Sequence, residues 1–291
     1  MGAPDVAFVR QYQDTITVLA QQMTSRLRPA VMVDTNFKGE KKFYEQYASD
    51  DLVELMTRYA DTPIQSPDHR RRMLTPRYFV GNTLEDPIDA LQMLIDPKST
   101  YMQAKQMSAA RKTDDIIISA FNATAYTGKE GTTSQSFSSA NQIAVTYGGG
   151  GSNTGMTKAK VLHAKKLLDA GEVEKEDRFA VAMAAQFEDL MNTTEVASSD
   201  YNSVKALVQG ELNTWVGFTW IHSERLSTSG GYRLCYFWQR KAIQLGVQKD
   251  VEGRVTERPD KNYAWQVYLR MCMGATRLEE ARIVEVSCAE S

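Results

Sequence analysis

Residues 96–128 read DPKSTYMQAKQMSAARKTDDIIISAFNATAYTG, and the way this stretch folds sets the fold class. Asp96-Pro97 is a helix-start signal, because proline is pre-organised for a first helical position where its missing N–H costs nothing. From there the chain runs without glycine or proline to Ala123. The pattern predicts a helix over 97–123, roughly 25 residues and nearly 40 Å long. Its residues mix alanine, methionine and charge rather than forming an a/d seam, which disfavours a coiled coil. Asp114 and Asp115 adjoin within it, but neighbouring helical side chains diverge, and Arg111 is the expected surface partner.

Upstream the character changes. Residues 5–23 place Val6, Val9, Ile16, Leu19 and Met23 at loosely helical spacing, and Asp86-Pro87 opens a further helical signal, PIDALQMLI. Between them, from Pro29 to Thr83, extended fragments (30–33, 43–47, 78–80) alternate with dense charge in FKGEKKFYEQYASDD and SPDHRRRMLTPR. Such a ribbon has too few periodic apolar positions for a core of its own, and an isolated pair of strands is marginal in water. It needs another surface to lie on.

Downstream, Ile143 to Val145 reads as a strand leading into the glycine loop YGGGGSNTGMT (147–157), and a helix follows from Thr157 to Ala170 with Gly171 as its C-terminal residue. RFAVAM reads as a buried strand and AAQFEDLM as a short helix. TWVGFTWIHSERL reads as a strand in which Val216, Phe218 and Trp220 alternate, and RLCYFWQRKAIQLGV as two more extended pieces. In NYAWQVYLRMCMGATRL, Trp265, Val267, Leu269, Met271 and Met273 take one face and Gln266, Tyr268, Arg270 and Cys272 the other, over about 12 residues, twice the usual strand length. EARIVEVSC closes the chain as a strand.

Composition is that of a globular protein: 291 residues, 42% hydrophobic and 24% charged. Thirty-four Lys and Arg against 36 Asp and Glu give a formal charge of −2, which excludes a protein whose affinity rests on neutralising many phosphates. Cys235, Cys272 and Cys288 lack any C-x-x-C spacing and, being odd in number, point to reduced thiols. MGAPDVAF lacks a signal peptide's basic start and apolar core, Val6 breaks the myristoylation pattern, and no apolar run approaches the roughly 18 residues that span a bilayer. The expectation is a soluble protein with no membrane partner.

The glycine loop is the strongest chemical signal. From Gly150 to Thr157 it departs from the phosphate-cradling G-x-x-x-x-G-K-[ST] pattern at one residue, since Met156 stands where lysine should reach the phosphates. A nucleotide-binding enzyme using residues 148–157 is therefore the alternative of a different class, against the plainer reading that glycines let the chain turn and Thr157 caps the helix. His163 and His222 have no carboxylate at metal-ligand spacing. The run Asp68 to Arg72 reads as a salt-bridging or interface cluster, with His69 at the surface, rather than a phosphate site. No residue set points to catalysis, a cofactor or a metal.

A long helix, a ribbon that cannot fold alone, a very long late strand and no active site describe a subunit completed by its neighbours. Three stretches carry a family resemblance: residues 96–128 quoted above; DRFAVAMAAQFEDLMNTTEVASSDYNSVKALVQGELNTWVGFTWIHSERL; and RPDKNYAWQVYLRMCMGATRLEEARIVEV. In order and spacing the chain resembles the major capsid proteins of tailed bacteriophages. That resemblance implies the α+β Hong Kong 97-like capsid fold. By the same resemblance, residues 1–28 are expected to form an N-terminal arm and 29–80 an extended loop lying over the adjacent subunit. Residues 81–139 with 258–275 are expected to form a peripheral domain around the spine helix 97–123, and 140–257 with 276–291 a central domain.

It implies a non-enzymatic shell protein of the virion, assembled in the bacterial cytoplasm into pentamers and hexamers around double-stranded DNA. A portal protein is its expected partner, and a decoration protein a further one. The chain begins almost directly with the arm, so the expected scaffold is a separate scaffolding protein. Candidate inter-subunit contacts are Lys41, Lys42, Asp68, Arg70, Arg71 and Arg72. Lys38, Lys41 and Lys42 lie in the loop, but no asparagine with an activating acid matches them, so cross-linking is not expected. A bacterial compartment shell of the same fold, enclosing cargo enzymes, is the structural alternative.

Overall fold

The computed structural model describes residues 21–48, 50, 52–54, 56–57, 61, 64, 68–86, 98–193 and 213–290. The N-terminal helix expected over 5–23 falls almost entirely outside them, as do PIDALQMLI and Pro97. In chain order the strands begin with β1 (Met32–Asp34), β2 (Lys42–Tyr47), β3 (His69–Leu74) and β4 (Arg77–Glu85). Helix α1 (Lys98–Asn122) is followed by β5 (Ala125–Thr127), β6 (Thr133–Gln135), β7 (Gln142–Ile143), helix α2 (Lys158–Ala170), β8 (Arg178–Ala182) and helix α3 (Ala184–Thr193). Then come β9 (Thr214–Trp215), β10 (Phe218–His222), β11 (Thr228–Ser229), β12 (Tyr232–Gln239), β13 (Ile243–Arg258), β14 (Ala264–Arg277) and β15 (Ile283–Cys288).

The chain divides into two compact units, one of Met1–Thr24, Tyr78–Arg111 and Lys249–Met271, the other of Ser25–Arg77, Lys112–Gln248 and Cys272–Ser291. The larger unit is organised by a mixed sheet in the order β7-β15-β12-β8-β10-β9, with β11 on β12. Its central strand β12, YRLCYFWQ, is buried from Leu234 to Gln239, as a strand covered on both faces must be. Phe121 from α1 stacks on Tyr236 at 4.5 Å and leans on Trp238 at 4.9 Å. The Trp238 indole donates to Ala30 O at 2.9 Å, which gives a buried N–H its partner. Cys235, Cys272 and Cys288 are all free and buried. A hydrogen bond with Cys288, together with burial, holds the Cys235 thiol well above its ordinary pKa.

A second sheet of this unit, β2-β3-β5-β6, is antiparallel throughout. Two guanidiniums fasten its base. Arg72 donates to Leu278 O at 2.9 Å and to Gln135 Oε1 at 2.6 Å. Arg277 donates to Phe121 O and Ala123 O at 2.9 and 2.8 Å, and to Gln135 O and Glu280. It thus satisfies carbonyls at the end of α1 that have no partner within the helix.

In the smaller unit the strand segments of β4, β14 and β13 lie side by side, with helix residues up to Arg111 across one face. A Cβ on Gly253 would stand 2.6 Å from Met102 Sδ, and one on Gly81 would stand 3.7 Å from Lys105 Nζ. Side-chain alternation then turns Tyr78, Val80 and Leu84 to the opposite face, where all are exposed. On that same face Glu252 is ringed by Lys249, Arg254 and Arg270 at 2.8–2.9 Å.

The long elements match their expected extents: α1 has 25 residues and β14 has 14, with Val267, Leu269, Met271 and Met273 buried. Three local expectations fail. TWVGFTWIH is a hairpin rather than one strand: Val216 and Gly217 both have positive φ, 55° and 82°, so Trp215 pairs with Phe218 across a two-residue turn. The strand expected over Ile143 to Val145 is only Gln142–Ile143. After α2 the left-handed residue is Glu172 (φ 52°), Gly171 having φ −83°.

Candidate assembly surfaces

The glycine loop is filled by the protein itself. Gly148, Gly150 and Gly151 take positive φ, and Thr157 caps α2 by accepting from the Lys160 amide. Met156 N donates to Asp189 Oδ2 at 3.1 Å, so a carboxylate holds the amide a phosphate would use. The Lys160 ammonium reaches back from the first turn of α2 to Thr154 O, Gly155 O and Ser287 O at 2.8–2.9 Å. Lys160 is fully buried, and burial lowers its pKa while raising that of Asp189. The loop's cation is thus consumed by carbonyls and its front is occupied by an acid, an arrangement that repels phosphate.

The charged run of the ribbon is split by strand alternation. Arg71, half-buried, pairs with Glu45 across β2 and β3 at 2.7 Å, and Arg70 with Asp68 at 3.1 Å, the other three being exposed. His69 meets the Tyr47 ring edge-on at 4.6 Å. Lys42 is bound to Asp34 and lies over the Tyr44 ring, while Lys41 is exposed. Arg72 departs from the surface role expected of it: it is 5% exposed and turned into the interior contacts already described. A cavity of about 430 Å³ opens beside this sheet, lined by Tyr47, His69, Arg70, Arg71 and Lys129 among others. Beyond Tyr47 the chain carries Leu52, Val53, Met56 and Ile64, whose exposures of 56–102% leave them without cover.

Asp114 and Asp115 separate in function. Asp115 receives both prongs of Arg225 at 2.6 and 2.7 Å. Asp114 is fully buried and accepts from Ser25 Oγ at 2.6 Å and from the Arg26 and Leu27 amides at 3.1 and 3.2 Å. Arg111, their expected partner, donates to Gln21 instead. His163 stacks on Tyr147 at 4.3 Å. His222 does have a carboxylate neighbour, Glu224 at 2.6 Å. Among the described residues no group of His, Cys, Asp and Glu is placed to hold a metal, and no helix is long and apolar enough to cross a membrane.

What these surfaces offer is attachment: an uncovered apolar ribbon end, an uncovered sheet face and paired charges. The fold is similar to that of Mycobacterium phage Che8 (TM-score 0.71, 15% identity, covering 96% of this chain and 97% of that one). It is similar also to the capsid of cyanophage Pam1 (0.74, 12%, 99% and 98%) and to the capsid of Ralstonia phage GP4 (0.74, 9%, 100% and 97%). Among curated proteins nothing matches. The family described as phage capsid protein matches residues 5–290, nearly the whole chain. Matched over that length, the chain belongs to the phage capsid protein family and is a structural subunit of a phage head shell.

Proposed function

We propose that copies of this chain join as pentamers and hexamers into an icosahedral head that packages double-stranded DNA. Residues 1–28 serve as the arm, 29–80 as the extended loop, 81–139 with 258–275 as the peripheral domain, and 140–257 with 276–291 as the central domain. The observation that carries this reading is the ribbon end, where Leu52, Val53, Met56 and Ile64 stand in solvent. At about 25 cal/mol per Å² of apolar surface removed from water, covering these side chains on a neighbouring copy supplies association energy that one subunit cannot use. Lys41, Lys42, Asp68, Arg70 and Arg71 at the base of the ribbon set register by charge.

A portal protein and a separate scaffolding protein are the further partners, with assembly in the host cytoplasm. With a formal charge of −2, contact with the packaged DNA is non-specific and weak. The test is electron microscopy of the chain expressed with and without its neighbouring genes, beside a variant lacking residues 36–75. Closed shells or rings of subunits from the intact chain, lost on deletion, support the reading. A monomer under every condition overturns it.

A further inference from the structure

The residues entering the larger unit at Ser25 are held from two sides. Asp114 takes Ser25 Oγ and the Arg26 and Leu27 amides. Opposite, Arg26 Nη1 donates to His222 O at 2.6 Å and lies 3.0 Å from His222 Nδ1. His222 Nε2 is 2.6 Å from Glu224 Oε1, which also accepts the Ala184 amide at 2.8 Å. A guanidinium only donates, so Nδ1 accepts, and the single proton of a neutral imidazole sits on Nε2, donated to Glu224. The network is complete with one tautomer of the neutral ring.

We propose that Arg26 and His222 form a proton-operated clasp that fixes the chain leaving Ser25 at neutral pH and loosens it on mild acidification. A proton taken up from solvent at Nδ1 turns that atom from acceptor to donor. The Arg26 bond to the ring is lost and two cations face one another across the 3.0 Å gap. The Glu224 bond is present in both states, because Nε2 carries a proton in both, so the change falls on the Arg26 side.

The surrounding charges are committed elsewhere. Arg225 is bound by Asp115, Arg233 by Glu290, and Asp114 by the backbone amides. Helix α3 presents the Phe187 ring at 6.2 Å, with Asp189 turned to Met156 and Glu188 exposed. Arg26 keeps its bond to the His222 carbonyl, and with the ring bond gone the Asp114 contacts of Ser25 to Leu27 are the main remaining restraint, so the segment opens more often and its amides leave Asp114 more often. The clasp therefore loosens without unfolding the unit.

Hydrogen exchange of the amides of residues 25–27 in the full chain, corrected for the chemical exchange rate, tests this. Between about pH 7.5 and about pH 5.5, a window that titrates imidazole and leaves carboxylates ionised, protection should fall about ten-fold, the loss of one hydrogen bond. His222→Gln, which cannot be protonated there, should show no pH step. His222→Lys, a permanent cation, should be loose at both values. A wild-type chain with no step, or a step that persists in His222→Gln, overturns the proposal. Near-ultraviolet circular dichroism separates clasp opening, which leaves the aromatic core signal intact, from unfolding.

Discussion

Asp189 stands directly against Gly155: a Cβ built on that glycine would lie 1.9 Å from Asp189 Oδ2. The glycine is therefore required by a close approach, since it makes room for the carboxylate that accepts Met156 N. Gly155→Ala must displace that carboxylate, at an expected cost of about 2–3 kcal/mol. Asp189→Ala should cost about 1–2 kcal/mol, and the double variant less than the sum. Denaturant melts of all three decide; strict additivity would refute the contact.

The buried Lys160 ammonium answers three carbonyls. Lys160→Met keeps the stem and removes the donors, so the carbonyls lose the ammonium, Thr154 O alone being seen to keep another donor, the Ala289 amide, and stability should fall by about 3 kcal/mol in thermal unfolding. Unchanged stability would mean that solvent reaches the loop carbonyls.

Arg277→Lys conserves charge and destroys the fork that joins Phe121 O, Ala123 O, Gln135 O and Glu280. The expected loss is about 2–3 kcal/mol. Arg70→Lys, exposed on β3 and paired only with Asp68 at 3.1 Å among the contacts described, should change stability by less than about 0.5 kcal/mol.

Glu174 supplies a pH dependence with a definite sign. Hydrogen bonds from Lys241 and Arg282 hold its pKa down at about 2, below the about 4.3 of an unfolded chain. The unfolded state then binds more protons between these values. The contribution is complete above about pH 5 and is lost as pH falls toward 2. Because the carboxylate is 44% exposed, its size stays under about 1 kcal/mol. Glu174→Gln should flatten the acid limb of a stability profile by that amount, and an unaltered limb would count against the pairing.

The long elements were legible because their signals are local. Nothing between Lys98 and Asn122 interrupts a helix, and the alternation from Val267 to Met273 marks a strand. The Val216-Gly217 turn was hidden because a two-residue hairpin preserves the alternation on both sides of it. Arg72 was misplaced because a run of arginines looks uniform, whereas successive strand residues face opposite ways. The roles of Asp114 and Lys160 were invisible for a different reason. Their backbone partners, amides for Asp114 and carbonyls for Lys160, lie 87–88 and 5–127 residues away, and those groups leave no mark in sequence. What a charged run or a glycine run does therefore depends on contacts that only the fold supplies.

The burial of all three thiols makes this protein chemically silent toward reagents that attack sulfur in water. Cys235 and Cys288 are fully enclosed, and Cys272 is 7% exposed with its pKa raised by burial. A cysteine introduced at Leu52 or Ile64 would be the single site that a maleimide finds in the folded subunit. Dyes, spin labels or cross-linkers could thus be written onto the ribbon end without first stripping the native sequence of sulfur.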